Sequence, residues 1–161
     1  MDIFWEELSF GFPDVRQLVH VIIRLTASVI LGAVIGLQRE KAGKPAGIKT
    51  HILATLGTTV FVLACVNSGM SLDGLSRVIQ GIVTGIGFLG AGAILKIDEK
   101  RDIKGLTTAA SIWISAAVGV GVGLGALGLG LMATILTVTV LAVLGSMEGV
   151  FVKAESSEKD E

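Results

Sequence analysis

The chain has 161 residues, 52% of them hydrophobic and 17% charged, with a mean hydropathy of +0.79, a balance that suits a bilayer as solvent and excludes an ordinary soluble enzyme. A net charge of −1 supplies no global basic field, so no nucleic-acid partner is expected. The single cysteine, Cys65, sits in an apolar run and allows neither an internal disulfide nor a thiolate metal site.

Residues 1–17 are acidic and polar where a cleaved leader would be basic and then apolar, so no leader is expected. Phe4, Trp5, Phe10 and Phe12 suit an interfacial segment whose rings sit among the headgroups. Crossing a hydrocarbon core of about 30 Å takes roughly 20 apolar residues as a helix. Five runs meet that requirement: 18–37, 48–66, 78–95, 106–124 and 127–144. The expected fold class is therefore all-α, a polytopic membrane bundle of about five transmembrane helices. Its membrane domain covers 18–147, and residues 148–161 form a polar cytoplasmic tail. The fourth break, Gly123 to Gly128, carries no charge, which leaves one crossing plus a re-entrant piece as the alternative to two crossings.

Cations set the orientation, because short loops rich in Lys and Arg stay in the cytoplasm. Arg39, Lys41, Lys44 and Lys49 fall between the first two runs; Lys96, Lys100, Arg101 and Lys104 fall between the third and fourth; Lys153 and Lys159 follow the fifth. These places share one side only if the number of crossings is odd. The N-terminus is then outside and the C-terminus cytoplasmic.

Lipid tails are as apolar as leucine, so helices associate by close packing, for which the 22 glycines supply smooth faces. Gly32 and Gly36 mark the first span, Gly81 and Gly85 the third, and Ala109, Ala110, Ala116 and Gly119 the fourth. The third span is so rich in glycine that it needs support from neighbours on several sides. It is expected at the centre, where Gly85→Leu would abolish assembly. Gly85, Gly87 and Gly90 match a dinucleotide fingerprint literally, but the strand and acidic residue that motif requires are missing, so a packing face is the better reading.

None of the 14 Asp and Glu residues falls inside a run, Glu148 at the edge of the fifth excepted, which weakens a pump with intramembrane carboxylates. No nucleophile-and-base pair is visible, and His20 and His51 fall near opposite faces, so no enzyme is expected and no cofactor is required. Arg24 lies about two turns inside the first span, where a lone guanidinium costs roughly 2.5–3.5 kcal/mol. It either snorkels to the outer headgroups or has a buried partner, for instance carbonyls of the third span. Gln80 and Thr84 are candidates for interhelical hydrogen bonds. In the first cytoplasmic string, GLQREKAGKPAGIKTH, Arg39 and Glu40 can pair at a helix end, Pro45 resets the chain, Gly47 permits a turn, and Lys49, Thr50 and His51 open the second helix. Thr107, Thr108 and Ser111 place hydroxyls on the cytoplasmic end of the fourth span. They can back-bond to helix carbonyls, or join the first string in a polar vestibule.

Three strings in order, GLQREKAGKPAGIKTH, SRVIQGIVTGIGFLGAGAILK and IKGLTTAASIWISAAVGVGVGLG, resemble the MgtC/SapB family of bacterial membrane proteins over residues from about 24 to about 144. The resemblance implies five spans in a bacterial inner membrane and a role tied to Mg²⁺, either as transport or homeostasis or as regulation of another membrane complex such as ATP synthase. Longer members carry a soluble domain of ACT type after the membrane part, so this chain resembles a short form. By motif, the resemblance carries over Arg39, Glu40, Gly47, Lys49, Thr50 and His51, then Gln80, Gly81, Gly85, Gly87 and Gly90, then Gly105, Leu106, Thr107, Thr108 and Ala109. Gln38 and Lys49 depart from it, since many members place an acid and an Arg there; a Lys offers a point charge in place of a bidentate fork. Glu40 is the one candidate ligand for Mg²⁺, bound or transported. Partners implied are the lipid bilayer, a second copy in a homodimer or other homo-oligomer, or another membrane complex.

Overall fold

The computed structural model describes residues 14–97 and 102–157, with side chains described for 14–94 and 104–145. The aromatic N-terminal segment and the cations Lys100, Arg101 and Lys159 lie outside the described residues. Five helices are long and apolar enough to cross a membrane: α1 (Val15–Lys41), α2 (Ile48–Asn67), α3 (Leu72–Gly92), α4 (Leu106–Gly123) and α5 (Leu127–Ser157). Two short antiparallel strands, β1 (Leu95–Ile97) and β2 (Asp102–Lys104), join α3 to α4, an element not anticipated in the polar break between those runs. Helix α5 continues to Ser157, so most of the expected polar tail is helical backbone.

Local chemistry explains where each helix starts and stops. The Asp14 carboxylate accepts from Arg16 N–H and opens α1. The Ser71 hydroxyl accepts from Gly74 N–H and opens α3, six residues before its apolar run, because the cap sets the helix start while hydropathy sets only the span. Between α4 and α5 the chain turns at Gly125, φ +87°, with Ala126 N–H on the Gly121 carbonyl and Gly125 N–H on that of Val122. This pair of bonds closes α4 as a Schellman turn. The uncharged fourth break is therefore a tight turn between two separate helices.

Helices α2 and α4 form the centre, with α1 against both, α5 on α1 and α4, and α3 chiefly on α4. The third span is thus peripheral, contrary to expectation: only Ile86 and Gly90 of α3 are buried, whereas ten residues of α4 are. A Cβ added at Gly81, Gly85 or Gly87 would meet nothing within 4 Å. Close packing belongs to other glycines. A Cβ on Gly32 would strike the Thr55 hydroxyl, lying also 2.8 Å from the His51 carbonyl oxygen, and one on Gly119 would strike the Thr58 hydroxyl and the Thr55 carbonyl. These absences of side chain bring α1 and α4 onto the backbone of α2.

The interior mixes apolar side chains such as Ile35, Val62 and Val122 with hydroxyls and an imidazole, and the exterior is apolar as well. Phe88, Leu129, Leu53 and Phe61 point outward, while Ser28, His51, Thr55, Thr59 and Ser115 are fully buried. In a bilayer this is the favourable arrangement, since apolar side chains gain nothing by leaving lipid and polar ones gain partners inside.

The bundle has two chemically distinct ends. Arg39 lies beside Thr108 at one end, where the connection between α1 and α2 and the β ribbon also sit; Gln17 bonds Asn67 and Arg24 bonds Gly123 at the other. The basic end therefore gathers Arg39, Lys41, Lys44 and Lys104, as the charge pattern requires.

Candidate functional site

A thread of polar side chains runs inward from the basic end through the contact of α1, α2 and α4. Arg39, 2% exposed, donates from Nη2 to Thr108 Oγ1 at 3.0 Å. Ser111 Oγ donates to the Thr108 carbonyl at 2.8 Å, Ser115 Oγ to the Ser111 carbonyl at 2.9 Å, and His51 Nδ1 meets Ser115 Oγ at 2.8 Å. Deeper still, Thr55 Oγ1 lies 2.8 Å from the Ser28 carbonyl of α1, and Thr59 Oγ1 donates to the Gly119 carbonyl of α4 at 2.9 Å. Each contact between helices satisfies groups that lipid cannot, so the thread fixes which faces meet.

The His51–Ser115 contact joins α2 to α4 between two fully buried side chains, and the Ser115 hydroxyl lies within reach of both the imidazole and the Ser111 carbonyl. Gln38 Oε1 is buried without a hydrogen-bond partner among the described residues.

Around this thread the anticipated residues divide. Arg39, Thr107 and Thr108 come together, and they line cavities at the basic end with Lys44. Glu40 turns aside: its Oε2 accepts from Ile48 N–H at 3.1 Å, standing in for a cap that Gly47 cannot supply, and a Cβ on Gly47 would sit 2.7 Å from that oxygen. Lys49 and Thr50 are exposed on the first turn of α2. Gln80 and Thr84 are exposed, and Thr84 bonds the Gln80 carbonyl in its own helix, so they make no interhelical bond within the chain. Gly81, Gly85 and Gly87 face outward, while Gly90 contacts Ala109 of α4. Gly105 adopts φ +97° against the Ala93 carbonyl, a position only glycine fills without strain.

Arg24 has a buried partner, although not the third span. Its Nη1 donates to the Gly123 carbonyl at 2.9 Å, one of the acceptors that the end of α4 leaves open, and Gly125 brings the turn against the guanidinium. Arg24→Met keeps the alkyl stem and removes this bond; a loss of about 1.5–3 kcal/mol is expected, read as a lowered thermal transition in detergent.

Ser28, Thr55, Thr59 and Ser115 were not singled out beforehand, yet the sequence holds their signal. His51, Thr55 and Thr59 recur every four residues, and Thr108, Ser111, Ser115 and Gly119 follow the same face of the fourth run.

The MgtC family profile matches residues 25–150, more than half of the chain. The chain belongs to the MgtC family. It is 38% identical over 130 residues to SrpB of Synechococcus elongatus, a match covering 74% of this chain and 71% of SrpB. Similarity to YhiD of Escherichia coli K12 is 42% over 129 residues, covering 76% of this chain and 59% of YhiD. With MgtC of Salmonella typhimurium LT2 it is 43% over 131 residues, covering 81% of this chain and 52% of that protein. The chain thus spans little more than half the length of the last two. No solved structure matches it. With five spanning helices and this family, it is a multi-pass membrane protein.

Proposed function

We propose that the chain is a protein of the bacterial cytoplasmic membrane with a role in Mg²⁺ homeostasis, exerted by binding other membrane components and not by conducting the ion through the single-chain bundle. The link to Mg²⁺ is supported by the family and by YhiD, which is provisionally named a magnesium transporter. Bacterial relatives support the membrane, and the gathering of cations at one end supports a cytoplasmic basic end with the N-terminus outside. The protein acts in this reading without catalysis or a resident cofactor.

One observation carries the mechanism: the mouth at the basic end is lined by Arg39, Lys41, Lys44 and Lys104, and the carboxylate beside it, Glu40, is engaged by Ile48 N–H. Mg²⁺ demands several oxygen ligands in octahedral geometry and sheds water reluctantly. These donors do not fit it, and the cations repel it. Behind the mouth, the thread is filled by Gly32 and Gly119 packing directly on α2.

The second reading is transport by an assembly. It draws on the outward Gly81, Gly85 and Gly87 of α3 and on a groove of about 390 Å³ between α2 and α3, lined by Phe61, Ile82 and Leu89, where a second copy or another membrane complex such as ATP synthase has a face to meet. Mg²⁺ flux into sealed proteoliposomes separates the readings. The expected result is flux no greater than in empty vesicles, for wild type and for Glu40→Gln, which keeps an acceptor for Ile48 N–H. Flux above the empty control that Glu40→Gln lowers establishes transport instead.

A further inference from the structure

At the basic end two cavities, of about 580 and 480 Å³, share Arg39, Lys44 and Thr107 and so adjoin as the two halves of one recess. Lys41 lines the first and Lys104 the second, and no carboxylate lines either among the described residues. Helix α4 begins in the same place: its N-cap is Gly105, which offers no side-chain acceptor, while Thr107 and Thr108 of its first turn face the recess. An 18-residue helix presents partial positive charge and unsatisfied N–H groups at that end. Thr107 and Thr108 add hydroxyls. The far wall is of the opposite character, formed by Val140, Leu141 and Leu144 of α5.

We propose that this recess binds a phosphate-ester anion, with Lys44 and Lys104 as its principal cations, Arg39 as its buried wall and the start of α4 as a source of N–H donors. Lysines converging on an uncapped helix start match the charge and the acceptor oxygens of a phosphate. The apolar α5 wall suits an acyl chain, so the headgroup of an anionic phospholipid fills both halves of the recess, whereas a soluble phosphate fills only the cationic half. This assignment does not depend on whether the protein moves Mg²⁺.

The test uses the full chain in mixed micelles titrated with phosphatidylglycerol, retained lipid being counted by native mass spectrometry, and in parallel inorganic phosphate followed by calorimetry. Wild type is compared with the double variant Lys44→Gln/Lys104→Gln and with Lys49→Gln, which removes an exposed cation of the same region that lines neither cavity. Saturable phosphatidylglycerol retention is expected, weakened roughly 25-fold in the double variant at about fivefold per lysine, and altered by less than about twofold in Lys49→Gln. The same pattern with inorganic phosphate alone supports the site and assigns it to a soluble ligand. Absence of saturable binding in both arms, or equal weakening by Lys49→Gln, overturns the proposal. All three lysines are exposed, so the variants fold, and a thermal scan verifies it.

Discussion

Gly119→Leu is expected to yield no folded protein, whereas Gly85→Leu yields a folded chain with a thermal transition close to wild type. At Gly119 even a Cβ overlaps the Thr58 hydroxyl and the Thr55 carbonyl, and the Thr59 bond to the Gly119 carbonyl holds the helices at this distance. Overpacking of this kind costs about 1–3 kcal/mol for a methyl group and more for a larger side chain that has backbone opposite it. A Cβ at Gly85 meets nothing within 4 Å and the apolar groove between α2 and α3 has room for a leucine, so the stability of the chain changes by about 0.5 kcal/mol or less. Size-exclusion chromatography and a thermal scan in mild detergent read both variants. A collapsed Gly85→Leu monomer would show that α3 needs neighbours on that face. Loss of only a larger species would place a copy-to-copy or partner contact there.

The second large effect is at Arg39. Its guanidinium is buried and bonded to Thr108, so Arg39→Ala removes a charged donor together with the packing of its stem, and a loss of about 1.5–3 kcal/mol is expected from the hydrogen bond alone. Thr108→Val keeps the shape of the threonine and deletes the acceptor. The double variant should lose less than the sum of the single changes, by about 0.5 kcal/mol or more, because the two residues share one bond. Strict additivity in thermal unfolding would mean that they contribute separately.

The spans were legible because about 20 apolar residues in a row have few other uses. Four of the five expected runs begin within three residues of their helices, and the fifth, α3, begins early because Ser71 caps a polar first turn. The grouping of cations at one end was legible from charge alone. What hydropathy does not encode is the direction in which a glycine stripe faces, since lipid and protein interior are both apolar. Gly32 and Gly36 turned inward and Gly81 and Gly85 outward, although both pairs have the same four-residue spacing. The capping role of Glu40 is local and was not legible from hydropathy: glycine at 47 has no side chain to cap α2, and a carboxylate eight residues before Ile48 supplies the acceptor. The hydroxyl thread was missed because serine and threonine are weakly polar on any hydropathy scale, and only their four-residue recurrence with His51 marks them.

Arg24 and Gly123 are 99 residues apart, and this separation orders assembly in time. A ribosome releases α1 long before α4 exists, so the guanidinium enters the bilayer with its carbonyl unsynthesised and must stay near the headgroups until four of the five spans have been made. Arg39 waits likewise for Thr108 at the other end, 69 residues later. Both cations of α1 find these partners on α4, near opposite ends of the bundle, so the docking of that one helix satisfies both.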